Sequence, residues 1–572
     1  MGSSNDSCIL KLTIKGVVNL PEGVHVCTAD DLFCDHSVGL NVNEAASIPL
    51  SGIAVGYYSN QQAQFFPLLA YSIDNGVNWQ YPNEIFRNLK NQIDPNFANG
   101  ILLGGDCAGA GGKSRCIATG NYCTTDDCSS TLPLIAVGKN NLSQWSYPKA
   151  VHENLTQIID PNLTVATLND GSCVGSGGST VCFGAGSYFT SSRQFPLIAL
   201  TTNGGLNWTY PSSVYQDLGT KIDPNFVSGY LQGTSCSLSG CNRICIAAGA
   251  YFCAGSSCDS QLPLLAMSTT NTNEWTYPTA IFSNLQSTID PNFNNGFLKS
   301  ASCTSSTTIS LCIATGQYSN GSTTYPLLAE TQDNGQTWRY PSEIHSDLET
   351  KIAHGFVGGF FNGASCSGRN KKAVCVAAGA YFTQTHLFPF LAVSRDGGES
   401  WLYPSYIYTK FQTDVSPNAA SGGFEDVSCS GNGNTAFCVA AGNFCLLDDT
   451  QSCGFLPLVA LSTNGGKNWA YLPDVYTNLT TKIAANFKEG FFNSISCNST
   501  ATRSFCVASG QYITTDFDIL PMIAISTDRG MTWIYPREIH ANLNVTIDPG
   551  FSGGGFVFSA VTGGGVEILV VG

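Results

Sequence analysis

Eight tryptophans recur along the chain at intervals of 66, 63, 67, 63, 63, 68 and 64 residues, and each closes the same short phrase. The phrase runs Ser72-Ile-Asp-Asn-Gly-Val-Asn-Trp79, and it returns at Thr331–Trp338, Ser394–Trp401 and Ser526–Trp533. Asn replaces Asp in the copies ending at Trp208 and Trp469, and worn copies end at Trp145 and Trp275. A fixed period near 65 residues outweighs the several-domain expectation that a length of 572 would otherwise raise. Within the phrase the Ser or Thr hydroxyl and the Asp or Asn side chain accept the N–H groups of a tight turn. The Gly supplies a positive φ, and the Trp caps an apolar cluster at the start of the next strand. The phrase therefore reads as a β-hairpin corner, not as an active site.

The segments around it complete a unit of four short antiparallel strands. In the unit ending at Trp338 these are Phe297–Cys303, Cys312–Tyr318, Tyr325–Glu330 and Thr337–Pro341. A proline (Pro67, Pro133, Pro196, Pro263, Pro326, Pro389, Pro457, Pro521) opens each third strand, a position where a missing N–H is tolerated. A connector follows, as in Tyr81-Pro-Asn-Glu-Ile-Phe-Arg-Asn-Leu89. Pro at the first helical position, with Ile85 and Leu89 four apart, predicts a short helix there.

The ends depart from the pattern. Residues 1–46 lie outside the repeat, and Ile9–Lys15 alternates as a half-buried strand does. The first unit opens at its second strand, near Ile53, while Gly555–Ala560 matches a first strand and Glu567–Val571 a second. C-terminal strands are expected to complete the first unit and leave no open edge. The surplus strand and Ile9–Lys15 are then free to pair with each other or with another subunit.

Twenty-four cysteines follow the same period. Seven pairs stand nine residues apart: Cys107/Cys116, Cys173/Cys182, Cys236/Cys245, Cys303/Cys312, Cys366/Cys375, Cys429/Cys438 and Cys497/Cys506. Cys123/Cys128, Cys253/Cys258 and Cys445/Cys453 close short loops, Cys27/Cys34 is a further local pair, and Cys8 and Cys241 are left without an evident partner. Zinc-type spacing is absent, so the pattern reads as disulfides and places the protein outside the cell, on its surface or in a periplasm. No run reaches the ~18 apolar residues of a membrane span. Met1 onward is read as a mature N-terminus whose leader is gone. A net charge of −15 with 25 scattered Lys and Arg offers no basic stripe for nucleic acid or anionic membranes.

Units of four antiparallel strands on a regular period make a β-propeller. The expectation is an all-β chain forming a single eight-bladed, disulfide-stapled β-propeller over residues 47–572, its ring closed by terminal strands. The turn phrase, with its eight tryptophans at Trp79, Trp145, Trp208, Trp275, Trp338, Trp401, Trp469 and Trp533, resembles the Asp-box or bacterial neuraminidase repeat of sialidase-like and sortilin-like propellers. In those families it lies between the third and fourth strands and is structural, so the resemblance speaks to fold. It also implies that sialidase chemistry would need three arginines, a Tyr/Glu pair and an acid. This chain has ten arginines, and all of them fall in turns, connectors, loops or outer strands rather than on inner strands.

Other candidates are weighed on the residues alone. Asp126/Asp127 and Asp448/Asp449 could offer hard oxygen ligands to calcium, but no full calcium-loop motif is present and a polar, disulfide-pinned loop is the preferred reading. Asp94, Asp160, Asp223, Asp290 and Asp548 repeat within Ile-Asp-Pro-Asn-like turns, a turn-former's role. His152, His345 and His540 share a slot with Phe and Tyr, which marks it as a packing position. Tyr122, Tyr188, Tyr251 and Tyr381, at the loop bases, are candidate sugar or peptide platforms, but all four fall six residues after the second cysteine of their pair, and a plain packing role at the strand end fits them as well. Loops between second and third strands share a face with the connectors, opposite the Asp-box turns and the nine-residue cysteine pairs. The reading is a non-catalytic binding or adhesion module that presents this connector face to a protein or glycan and carries no cofactor. The alternatives are a filament or surface-layer subunit linked through terminal strands, and a glycan-active hydrolase.

Overall fold

The computed structural model describes residues 49–562 apart from 240–241, 255–259, 270–272, 307–308, 353–354, 448–452 and 501, together with the backbone of four two-residue strands near the ends. The chain is all-β, with antiparallel sheets joined by single-turn helices. In the unit of Trp338 the strands are Asn295–Ser305, Ser310–Ser319 and Thr324–Thr331, and the bridge Glu330↔Arg339 supplies the fourth. The same order returns in each unit from Asn99–Ala108 onward.

The first unit draws on both ends of the chain. Phe551–Val561 pairs antiparallel with Gly52–Asn60, which pairs with Phe65–Ser72. Leu569–Val570, within the surplus C-terminal strand, pairs parallel with Thr13–Ile14, one of the two pairings expected for it.

The turn phrase is built as its residues dictate. Ser72 Oγ donates to Asp74 Oδ1 at 2.8 Å and accepts the Gly76 N–H at 3.0 Å, and Asp74 Oδ1 accepts the Asn78 N–H at 3.0 Å. Burial opposes ionisation of Asp74, but the hydrogen bonds from Asn78 and Ser72 outweigh it and hold the carboxyl below its usual range. In the Asn copies Asn203 Oδ1 still accepts the Asn207 N–H at 2.9 Å, so the turn survives the exchange. Gly76 has φ +81°, and a Cβ there would lie 2.8 Å from Ile525 Cδ1; that of Gly205 would lie 2.7 Å from Val137. Each of the six turns that keep this Gly thus presses on the third strand of the preceding unit, with Gly76 of the first unit pressing on the last. The eight tryptophans are all buried.

A second contact also links successive units. Tyr147 donates its hydroxyl to the Ile85 carbonyl at 2.7 Å, Tyr340 to Ile281 and Tyr403 to Ile344 at 2.6 Å, and Tyr277 to Val214 and Tyr535 to Val475 at 2.5 Å. Tyr210 and Tyr471 do the same to Val151 and Ile407. Tyr81, in the first unit, donates to Ile539 in the last connector at 2.6 Å. One apolar cluster accordingly holds Ile53, Leu102, Phe505 and Ile525, residues of the first, second and last units.

Two local expectations are corrected. The prolines sit inside the third strands, Pro67 opposite Tyr57 for example. The fourth strand covers only the far end of the third, at Tyr71↔Gln80, so the missing N–H faces an unpaired edge. In the connectors Pro82 precedes the helix Asn83–Phe86, and left-handed Asn88 (φ 55°) breaks it before Leu89–Gln92. Two single turns replace one helix, because a left-handed residue cannot continue a right-handed one.

The first and second strands are joined by disulfides at directly opposed residues in all seven described pairs: Cys107–Cys116, Cys173–Cys182, Cys236–Cys245, Cys303–Cys312, Cys366–Cys375, Cys429–Cys438 and Cys497–Cys506. These pairs lie at the strand ends beside the turn phrases, as expected, with Cys182 opposite Thr201 and Cys312 opposite Thr331. The second cysteine of each pair, Cys116, Cys182, Cys245, Cys312, Cys375, Cys438 and Cys506, is fully buried and belongs to the apolar core of its unit. The second strand lies between the first and third, and adjoining units cover its faces, so these sulfurs pack as core atoms. None of the seven can touch a ligand, and their role is structural alone. Cys123–Cys128 and Cys445–Cys453 close their loops, and Cys253 is also disulfide-bonded. Cys8, Cys241 and Cys258 lie outside the described residues, and Cys27 and Cys34 are described only as facing backbone partners. Among the described residues no helix is long and apolar enough to cross a membrane.

Candidate functional site

The first strands of successive units converge, and their glycines record how closely. A Cβ on Gly104 would lie 2.6 Å from Asp170 Cα, one on Gly233 2.5 Å from the Lys299 carbonyl, and one on Gly363 2.7 Å from Asp426 Cα. Every first strand carries a bulge at this level, which makes Leu103, Asn169, Gln232, Lys299, Asn362, Glu425, Asn493 and Val557 the extra residues.

The bulged side chains reach sideways. Asn169 donates to the Leu231 carbonyl and Asn493 to that of Phe556, both at 2.8 Å. Lys299 Nζ donates to Asn362 Oδ1 at 2.8 Å, and Asn362 Nδ2 donates to Glu425 Oε2 at 3.2 Å. One polar chain therefore spans three successive units.

Below the bulges, carboxylates and hydroxyls tie neighbouring strands together. Asp106 Oδ2 accepts the Cys173 N–H at 2.8 Å, Asp170 Oδ2 accepts the N–H and hydroxyl of Thr234 at 2.8 and 2.9 Å, and Asp426 Oδ2 accepts the Ile495 N–H at 3.0 Å. Burial pushes these carboxyls up, to about 6 for Asp106 and Asp426 and about 7 for Asp170, against the pull of those donors. Asp170 Oδ1 is enclosed with no well-aligned donor; the Gly171 N–H beside the carboxyl opposes the rise, and the neighbouring Asp106 charge adds to it. The serine before each first cysteine continues the ladder: Ser172, Ser235, Ser302, Ser365 and Ser428 each accept the N–H of the next unit's cysteine at 2.8–2.9 Å.

Two residues above each bulge stands a position that is half-buried in seven of the eight units: Ile101, Thr167, Tyr230, Phe297, Phe360, Gly423 and Phe491, with Gly555 buried. Their partners across the ladder include the half-buried amides Asn121, Gln317, Asn443 and Gln511. Asn121 donates to Thr167 Oγ1 at 3.0 Å and Gln261 to Tyr230 Oη at 2.7 Å. This inner edge, rich in aromatic and amide groups, was not singled out from the sequence.

The sequence candidates fall elsewhere. Tyr122, Tyr188, Tyr251 and Tyr381 are at most 3% exposed, so they are packing residues and not platforms. Strand alternation turns each of them inward, and Tyr122 instead gives its hydroxyl to Asp94 at 3.3 Å. Asp94 also accepts the Asn96 N–H at 2.7 Å and Asp290 the Asn292 N–H at 2.8 Å, within their own turns. His152 is buried edge-on to Tyr122, its Nε2 is 3.1 Å from the Ile93 carbonyl, and burial lowers its pKa. Asp126 lines a cleft of about 770 Å³ on the connector side, with Phe66, Phe86 and Lys90. Asp127 caps its loop by accepting the Ser129 N–H at 3.1 Å, and Asp448 and Asp449 lie outside the described residues. Among the described residues no three His, Cys, Asp or Glu side chains are grouped to hold a metal ion. The arginines serve turns and outer strands: Arg339 pairs at 2.6 Å with the buried Glu330, which also accepts the Trp401 indole N–H at 2.8 Å, and Arg395 donates to the Gly465 carbonyl at 2.9 Å.

The chain matches no protein-family model, and a search of curated proteins finds no relative. Among solved structures it is similar to the Hadza microbial sialidase Hz136, at 10% identity and a TM-score of 0.32, over 86% of this chain and 83% of that one. A mutant of Trypanosoma rangeli sialidase displaying trans-sialidase activity gives 10% identity and a TM-score of 0.32, over 62% of this chain and 53% of that one. A protein described as a glycoside hydrolase gives 11% identity and a TM-score of 0.27, over 52% of this chain and 87% of that one.

Proposed function

We propose that the protein is an exported, non-catalytic binding module: a single eight-bladed Asp-box β-propeller over residues 47–572 with an N-terminal extension over 1–46. The tyrosine bonds that run from unit to unit, including Tyr81 to Ile539, support a closed ring, as does Gly76 against Ile525. The disulfides support an oxidising location outside the cell or in a periplasm. The ligand, a protein or glycan, is received on the connector face, at the connector ends of the converging first strands.

One observation carries the binding reading. The inner edge presents half-buried aromatic and amide side chains, while Asp106, Asp170 and Asp426 each hold a backbone N–H of the adjacent strand. A carboxylate engaged in that way is a structural acceptor, and moving it to serve as acid or nucleophile would release a buried donor. The reading calls for no cofactor.

Its test is a paired assay on the oxidised protein, with hydrolysis of aryl glycosides and sialosides measured beside binding to immobilised glycans and proteins. Binding without turnover supports the module. Turnover that disappears in Asp170→Asn would replace it with a glycan-active hydrolase. The other alternative, a filament subunit, is tested by size-exclusion chromatography of native material and of a variant lacking residues 1–18. Within the chain Thr13–Ile14 and Leu569–Val570 pair with each other, which occupies both strands that such a linkage would use.

A further inference from the structure

The inner edge is not uniform around the units. Three consecutive ones contribute Tyr230, Phe297 and Phe360, whereas the next contributes Gly423 and the first Gly555. Gln261 is bonded to the Tyr230 hydroxyl at 2.7 Å, and Gln317 faces Phe297 across the strand pair. Phe360 keeps a neighbour in the 38%-exposed Phe382, whose ring centroid is 5.7 Å away. Beneath this arc runs the chain Lys299–Asn362–Glu425, in which one cation and one anion are joined through an amide.

We propose that Tyr230, Phe297 and Phe360 form the binding arc for a neutral oligosaccharide. This deepens the binding-module reading and rests on it. An aromatic face stacks on the C–H surface of a sugar ring, and amides donate to and accept from its hydroxyls. The charges of the floor are matched to each other, and a protein of net charge −15 repels carboxylated or sulfated ligands. A peptide ligand would instead need the edge of the first strands that no strand covers, and there Asp170 holds the Thr234 N–H while Ser172, Ser235 and Ser302 hold those of Cys236, Cys303 and Cys366.

A glycan array carrying neutral and acidic glycans identifies the probe, and calorimetry with a neutral hexasaccharide from it measures the variants. Phe297→Leu and Phe360→Leu keep the apolar volume and remove the ring face. Each is expected to weaken binding about tenfold, the loss typical of an aromatic anchor, with Phe491→Leu on the opposite arc within about twofold of the parent. Unchanged unfolding midpoints show that the variants are folded, and Phe297→Tyr, which restores a ring, is expected to bind as the parent does. Binding confined to acidic glycans, no glycan binding, or equal loss in Phe491→Leu would overturn the arc while leaving a binding module with another ligand. Turnover of the bound glycan would overturn the module itself.

Discussion

Asp170 makes the sharpest test of how the inner strands are held. In an unfolded chain its carboxyl would titrate near 3.8, and in the folded protein burial pushes it to about 7. Below about pH 4 both states carry the proton and Asp170 contributes nothing to the pH dependence. As pH rises, the unfolded chain releases its proton while the folded one keeps it, so stability is lost across the window from 4 to 7 and then levels off. A difference of about three units sets an upper bound near 4 kcal/mol. Relaxation around the ionised carboxyl keeps the realised loss below that bound. Asp170→Asn retains an oxygen for the Thr234 N–H and removes the charge. The variant should match the parent at pH 4 and exceed it at pH 8, as measured by denaturant midpoints with disulfides intact. Asp106 and Asp426, raised to about 6, add smaller slopes of the same sign. Parallel pH profiles for parent and variant, or a variant weaker at pH 8, would refute the reasoning.

Two further substitutions probe contacts between units. Tyr81→Phe leaves the Ile539 carbonyl without its donor and should cost about 1–3 kcal/mol in chemical unfolding, whereas Tyr71→Phe, whose hydroxyl bonds the exposed Gln80, should cost almost nothing. Trp401→Phe should cost about 1–3 kcal/mol more than Trp208→Phe, because the first strips a donor from the buried Glu330 and the second removes an indole N–H that has no acceptor.

What the sequence made legible was whatever repeats within one unit. The Trp period, the left-handed Gly of the turn and the cysteine pairs are local signals, and the antiparallel sheets follow from them. What it hid depends on the neighbouring unit. The pairing of Cys182 with Cys173 could be read from spacing, but the burial of Cys182, Cys245, Cys375 and Cys438 could not, because it is other units that cover them. Tyr81 and Ile539 are far apart in sequence, and nothing near Tyr81 announces its acceptor, although a tyrosine precedes nearly every connector proline. The serine before each cysteine repeated just as plainly, but its partner is a backbone N–H in the next unit, which no side-chain pattern reveals. The inner-edge aromatics were missed for a different reason. A bulge in every first strand resets the alternation of faces, so counting from Cys303 assigns Phe297 to the wrong side. The loop-base tyrosines Tyr122 and Tyr381 stand beside variable loops in sequence, yet strand alternation turns both into the core, while Phe382 next to Tyr381 is exposed.

The first unit, assembled from Phe551–Val561 and Gly52–Asn60, also sets an order of events during biogenesis. Seven units carry a cross-strand cysteine pair, and each has both of its cysteines as soon as its own hairpin has emerged. The unit that joins the two ends carries no such pair, so its closing step is purely non-covalent. Oxidation can thus lock the hairpins one after another as the chain is delivered, N-terminal ones first. The seam stays reversible until the last strand arrives, and without Phe551–Val561 one edge of Gly52–Asn60 is left unpaired.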